Sequence, residues 1–393
     1  RAIMNYGTLD AWNGRADLSG RDVRESWRGR LDGSSALGGI LVHSNTLQEL
    51  DVLAKRRGRV LLSETSVAAP VPTERSAFYV DRRDGRTNVL VLSNPESESA
   101  EVELRLLTAD GVRNADATVP GEGSFEADLA DLFEPDRDEE VGTLLVNASR
   151  PLAPMVLSDR PTTRDELLVL ASLGSAGWDG VGPMVLPGLK AGGGFRSEVV
   201  LVNPGDLAME GEINFFGRDG EALFLGQGSG SVRHVEPLGY ELGPGEVFSF
   251  SLESEFGIAD ESYAVVQATS GNTPSAMARL SSWKGELLLS ETEIRAQTKT
   301  QNAWIPVDTL ASIIRHGETH MSLTFANADR TPATIRLTLF DEMGEEQGRW
   351  EQILPAFAQR GWLLGDLFNV RKVRGTIRFW SDVPLAISAR RIT

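Results

Sequence analysis

The chain has 393 residues, 41% of them hydrophobic, with 39 Lys and Arg against 56 Asp and Glu and a net charge of −17. A field of that sign repels phosphate backbones and anionic lipid, which argues against nucleic acid as a partner, and no uninterrupted apolar stretch reaches the ~18–20 residues of a helical membrane span. There is no cysteine and there are only four histidines, His43, His234, His316 and His320, so disulfides, thiolate zinc sites and cysteine nucleophiles are excluded.

The sequence opens on Arg1 with no charged-then-apolar leader, which reads as a chain processed or cut from something longer. Residues 38–54 (GGILVHSNTLQELDVLA) and 58–65 (GRVLLSET) are the first strand-like pieces, and both recur downstream. They define a partial or divergent unit over residues 1–73. The next unit, 74–177, opens with Ala77-Phe78-Tyr79-Val80 and continues with TNVLVLSNPESESAEVELRLLTADG over 87–111. Val89 and Val91, and then Val102, Leu104 and Leu106, alternate with their neighbours at period two, the pattern of strands with one buried face. Pro95 ends the first strand and Asp110-Gly111 turns the chain into a hairpin. Residues 125–133 carry the only helical pattern of this unit, a short crossover whose Leu129, Leu132 and Phe133 plug the space between sheets. Residues 141–157 and 165–172 complete the unit.

The same order returns twice. In unit 178–298 it is PMVLP from Pro183, then 197–220, a Gly/Ser-rich insertion at 225–231, then 262–280 and GELLLSET at 285–292. In unit 299–393 it is AWIPV from Ala303, then 321–344, 361–368 and 374–390, with no counterpart of the final strand. Asn94, Asn203 and Asn327 occupy one position of the repeat, roughly 109 and 124 residues apart, about one domain length. Five- to seven-residue strands separated by turns, about seven per unit, predict an antiparallel sandwich. The expected fold class is therefore all-β: tandem antiparallel β-sandwich domains in a rod-like array.

The units resemble the immunoglobulin-like β-sandwich repeats of bacterial secreted and surface proteins. The matching segments are the V-L-V-L-S-N-P run from Val89, the turn at Asp110, and the stretch from Gly142 to Ala153. The resemblance implies a non-enzymatic extracellular or cell-surface role: a stalk or filament subunit whose partners are copies of itself or other surface proteins. The third unit, lacking a last strand, and the first, lacking its opening strands, suggest head-to-tail strand complementation. The alternative is an adhesive or glycan-binding module, with exposed tryptophans as its platform. Trp304, Trp350, Trp362 and Trp380 cluster in the last unit, and Trp362 and Trp380 are expected in the core or between domains.

No catalytic, cofactor-binding or metal-ligating residue is assigned. Arg315-His316-Gly317-Glu318 resembles the opening motif of histidine phosphatases, which would make His316 the nucleophile and Arg315 its phosphate clamp. The repeat instead aligns this tetrapeptide with Arg82–Arg86 and Lys190–Gly194, polar connections leading into a strand, and a surface turn is expected. His316 and His320 are four apart, but a strand follows His320 at once, so no helix presents both to a metal. The acidic runs 134–140 and 345–346 lack calcium-loop spacing. Asn147-Ala148-Ser149 is an N-glycosylation sequon, which makes Asn147 the one modification site to consider.

Overall fold

The structure is a computed structural model of the chain. It describes residues 3–6, 39–44, 63–68, 72–133, 141–161, 167–173, 175–176, 182–222, 237–252, 260–309, 320–370 and 373–392. The described chain is all-β, in antiparallel sheets, as the period-two pattern predicts. Strands β1 (Ile3–Tyr6), β2 (Gly39–Ser44) and β3 (Ser63–Ala68) form a small sheet of their own.

The first pair of sheets is built from β4 (Thr73–Asp81), β5 (Thr87–Ser93), β6 (Ala100–Thr108), β7 (Gly111–Val119), β8 (Ser124–Asp128), β9 (Val141–Pro161), β10 (Leu167–Leu173) and β11 (Ser175–Ala176). The 21-residue β9 belongs to both layers. Its first half pairs with β4 and β6, and its second half with β5 and β10. The change of layer falls at Arg150-Pro151-Leu152, where proline removes a ladder donor. The first layer runs β11-β4-β9-β6-β7 and the second β10-β9-β5-β8.

The second pair uses β12 (Met184–Ala191), β13 (Phe195–Val202), β14 (Met209–Gly217), β15 (Leu238–Leu242), β16 (Val247–Leu252), β17 (Asp260–Ser270), β18 (Ser275–Lys284) and β19 (Leu287–Arg295). Its layers are β12-β17-β14-β15 and β16-β13-β18-β19. Here the layer-crossing strand is broken in two. Gly271, at φ 77°, and Pro274 separate β17 from β18. The third pair uses β20 (Thr300–Asp308), β21 (His320–Ala326), β22 (Ala333–Asp341), β23 (Glu346–Leu354), β24 (Gln359–Leu363) and β25 (Arg374–Ile392). The 19-residue β25 again crosses, pairing with β20 and β22 and then with β21, and Pro384 lies at its bend.

Alternation builds three separate cores. In β6, β14 and β22 every second residue is buried, among them Val102, Leu104 and Leu106, then Ile213 and Phe215, then Ile335, Leu337 and Leu339. The predicted crossovers are short helices, α1 (Leu129–Phe133) and α2 (Leu364–Phe368). Leu129 and Phe133 of α1, and Leu364 of α2, enter the cores of their sandwiches.

The recurring asparagine has a physical reason. Asn203 is fully buried, and its Nδ2 donates to the carbonyls of Leu207 (2.8 Å), Leu242 (3.0 Å) and Gly243 (2.9 Å), while Oδ1 accepts from the Gly205 N–H (2.9 Å). Asn327 repeats this with Thr331, Leu354, Pro355 and the Asp329 N–H. Asn94 does so with Glu98, Val119 and the Glu96 N–H. One amide thus satisfies backbone groups of two loops that no ladder reaches.

Candidate functional site

Side chains pointing away from a sandwich core normally meet solvent, but here many are buried. Tyr79, Asp81 and Leu145 lie on the outer face of the first sandwich's β4-β9-β6 layer, because Phe78, Val80, Leu144 and Val146 fill its core. Tyr79 is buried against Val200 and Val202, with Val247 and Met277 beside them, all from the second sandwich. Those residues stand on the outer face of the β16-β13-β18 layer. At the next junction Val185 and Tyr263, from the outer face of the β12-β17-β14 layer, pack on Ala326 and Ala386 of the third sandwich. The same layer therefore meets the same opposite layer twice.

The first junction holds a buried charge cluster. Asp81, Arg86 and Arg279 are 1%, 4% and 4% exposed, and the Glu291 side chain 3%. Arg83 donates from Nε and Nη2 to Asp81, both at 2.9 Å, and from Nη2 to Glu198 (2.7 Å) and the Tyr79 hydroxyl (2.8 Å). Arg86 grips Glu291 with both terminal nitrogens at 2.7 and 2.8 Å. Arg160 donates to the same carboxylate (3.0 Å) and pairs with Asp84. Arg279 pairs with Asp81 and stacks over the Tyr79 ring at 4.7 Å.

The electrostatics follow from this packing. Burial pushes the Asp81 carboxyl up, but hydrogen bonds from Arg83 and the charges of Arg279 and Arg83 outweigh it and hold the group at about 2. Burial is likewise outweighed at Glu291, where Arg86, Arg279 and Arg160 lower the pKa. Desolvation raises Tyr79, and Asp81 adds to it. The two carboxyl groups are thereby held charged and the Tyr79 phenol neutral. The cluster is a clamp of fixed charges, and its geometry does not pair an acid with a base of matched affinity.

The second junction is built on aromatic packing, with an ion pair between Arg360 and Asp219 at its margin. The Tyr263 hydroxyl donates to the Phe357 carbonyl at 2.8 Å and lies 3.3 Å from that of Asn327. Phe216 stacks between Tyr263 (5.0 Å) and Phe357 (5.8 Å). Gln359 bridges the same seam, donating to the Ser262 carbonyl (3.0 Å) and accepting from the Gly188 N–H (2.7 Å). Phe216 has a counterpart at the first junction. Leu107 occupies its place in the ladder and lies against Gly245, whose turn corresponds to that of Phe357. Gly245 and Phe357 both have left-handed backbone, at φ 73° and 56°. Tyr263→Phe removes one hydroxyl and strands a buried carbonyl. The expected loss is about 1–2 kcal/mol in denaturant midpoint, with the slope unchanged.

The residues singled out in the sequence fall as follows. Arg315, His316, Gly317 and Glu318 lie outside the described residues. His320 is exposed and opens β21. Asn147 is half-buried in β9, opposite Arg75 and Glu103, and Ser149 Oγ accepts the Glu101 N–H at 3.0 Å. Among the described residues no three His, Asp or Glu are grouped to hold a metal, and no helix is long and apolar enough to cross a membrane. Trp362 packs on the third core, edge-on to Trp350 at 4.9 Å, as expected. Trp380 does not. Its neighbour Phe379 takes the core side, so alternation sends Trp380 to the outer face, with Arg336 4.7 Å from its ring.

The connection 82–86 is also more than a polar turn, because Arg83 and Arg86 are members of the clamp. Two features of the sequence mark it, although neither enters the expectation of a polar turn. Arg279 interrupts an apolar run, and Glu291 is the glutamate of the repeated L-L-S-E-T segment.

No protein-family model matches the chain, and no curated protein matches it. Among solved structures, beta-glucuronidase 2 of Bacteroides uniformis aligns with 84% of this chain and 34% of its own, at 9% identity and a TM-score of 0.13. The chain thus spans about a third of that structure, and a similarity at this level carries no argument about fold or function.

Proposed function

We propose that the chain is a non-enzymatic structural protein, a surface stalk or filament subunit built of immunoglobulin-like repeats at about 74–177, 178–298 and 299–393. The observation that carries this reading is the pair of junctions. Each spends buried side chains on fixing one sandwich to the next, by a charge clamp at Asp81, Arg279 and Glu291 and by an aromatic seam at Tyr263 and Phe216. A stiff stalk requires such fixed joints, whereas a flexible string of modules needs only linkers. Small-angle scattering tests it. The expected profile is that of an elongated rigid body, unchanged between about 0.05 and 1 M salt because the clamp is shielded from counterions. An ensemble of freely hinged sandwiches contradicts the proposal.

Self-association by strand addition draws on a second observation. Among the described residues, the later half of β25 pairs with β21 on one side alone, where β9 and β18 carry β10 and β19. Unpaired strand edges template further pairing. Sedimentation velocity that depends on concentration is expected, and a single monomeric species at all concentrations rules this mode out.

A further inference from the structure

We infer that the outer face of the third sandwich's β20-β25-β22 layer is a docking surface for an acidic glycan. A sugar ring would stack on the exposed indole of Trp304, beside the Arg336-covered Trp380, and its carboxylate would be taken by Arg378. The inference goes beyond the stalk reading and does not depend on it.

The register identifies this face as the equivalent of the two covered ones. Ala77 stands opposite Leu145 in the first sandwich, Val185 opposite Val265 in the second, and Trp304 opposite Arg378 in the third. Along the third strand the matching residues are Leu107, Phe216 and Phe340. At this position the first two faces carry an apolar pair, Ala77 with Leu145 and Val185 with Val265, and both faces are covered by a neighbouring sandwich. The third carries an indole and a guanidinium where its siblings carry an apolar pair, and Trp304 is 51% exposed. Those bulky groups fill the space that a neighbouring sandwich takes up at the other junctions.

The face is chemically specific. Phe340 lies 5.8 Å from the Trp304 ring, and Arg378 sits 5.9 Å from the same ring, exposed and paired with no carboxylate among the described residues. Arg336 covers Trp380 but is neutralised by Glu351 at 2.7 Å. Trp304 and Trp380 are diagonal neighbours in the ladder, a spacing of about 7–8 Å between backbones. Asn302, exposed, stands opposite Trp380 and offers a neutral amide. The chain as a whole carries −17 and opposes an anion at long range, so the attraction is local: Arg378, with no carboxylate partner among the described residues, meets a carboxylate within a few ångströms. The aromatic floor selects a ligand that is flat and apolar on one side and hydroxylated at its edge, which describes a pyranose. An acidic peptide meets the charge but has no such face to stack.

Isothermal titration and tryptophan fluorescence of the full chain test this. The probes are a short oligogalacturonate, its uncharged methyl ester and polyglutamate. Oligogalacturonate is expected to bind, and the methyl ester to bind about tenfold more weakly. Trp304→Ala and Arg378→Gln should each weaken binding by about tenfold, with Arg378→Lys intermediate and the melting temperature unchanged, since both positions are on the surface. Failure of oligogalacturonate to bind overturns the inference. So do equal binding of polyglutamate, indifference to both substitutions, or a dimer in sedimentation that Trp304→Ala dissolves.

Discussion

Asn203→Asp is expected to destabilise the second sandwich by about 3 kcal/mol or more. The side chain is fully buried, and its Nδ2 faces three carbonyl oxygens, those of Leu207, Leu242 and Gly243. Aspartate keeps the oxygen that accepts the Gly205 N–H but turns the donor into a second oxygen facing three others. Each buried polar group left without its partner costs about 1–3 kcal/mol, and more when charge is involved. Burial and the surrounding carbonyls raise the pKa of the new carboxyl. Its protonated form donates one hydrogen bond, so the deficit is smallest at acid pH and grows as pH rises through the folded-state value. Urea midpoints from pH 4 to 8 read the effect. A variant as stable as the native chain at neutral pH contradicts the assigned role of the asparagine.

Arg279→Met is expected to cost about 3–5 kcal/mol, the range for removing one partner of a buried ion pair. The methionine fills much of the space, so the loss reports charge. Asp81 loses one of its cations, and the Tyr79 ring loses the guanidinium stacked on it. The double variant Asp81→Leu/Arg279→Met should recover part of the loss, because it removes the stranded charge along with its partner. The wild-type chain should also show the acid limb of this clamp. Asp81 is lowered from 3.8 to about 2, so its contribution is complete above pH 4 and is lost as pH falls toward 2. At 2% side-chain exposure that lowering corresponds to about 2 kcal/mol, and Asp81→Asn should flatten this part of the pH profile. Equal stability of wild type and Arg279→Met would remove the clamp from the description.

The strands and their cores were legible because their signal is local. Period-two alternation at Val102, Leu104 and Leu106 is enough to give each strand an inside and an outside. The matching asparagines were visible as a repeat, although the carbonyls that require them lie up to 40 residues away and become apparent only once the loops meet. The junctions were less legible. Alternation assigns Tyr79, Asp81 and Arg279 to an outer face but does not state whether that face meets water or another sandwich. The Arg82–Arg86 connection looked like a solvated turn for this reason, since arginine is common in both settings. Trp380 departs from the expectation because strand alternation gives the core position to its neighbour Phe379.

Because the chain has no cysteine, two can be introduced without background. Spin labels at Val112 and Met343, exposed at 51% and 82% on the first and third sandwiches, allow their separation to be measured by pulsed electron resonance. A single narrow distance distribution, retained at high salt and broadened by Arg279→Met, is the expected result. A broad distribution in the unmodified chain would mean that the buried faces do not lock the sandwiches together.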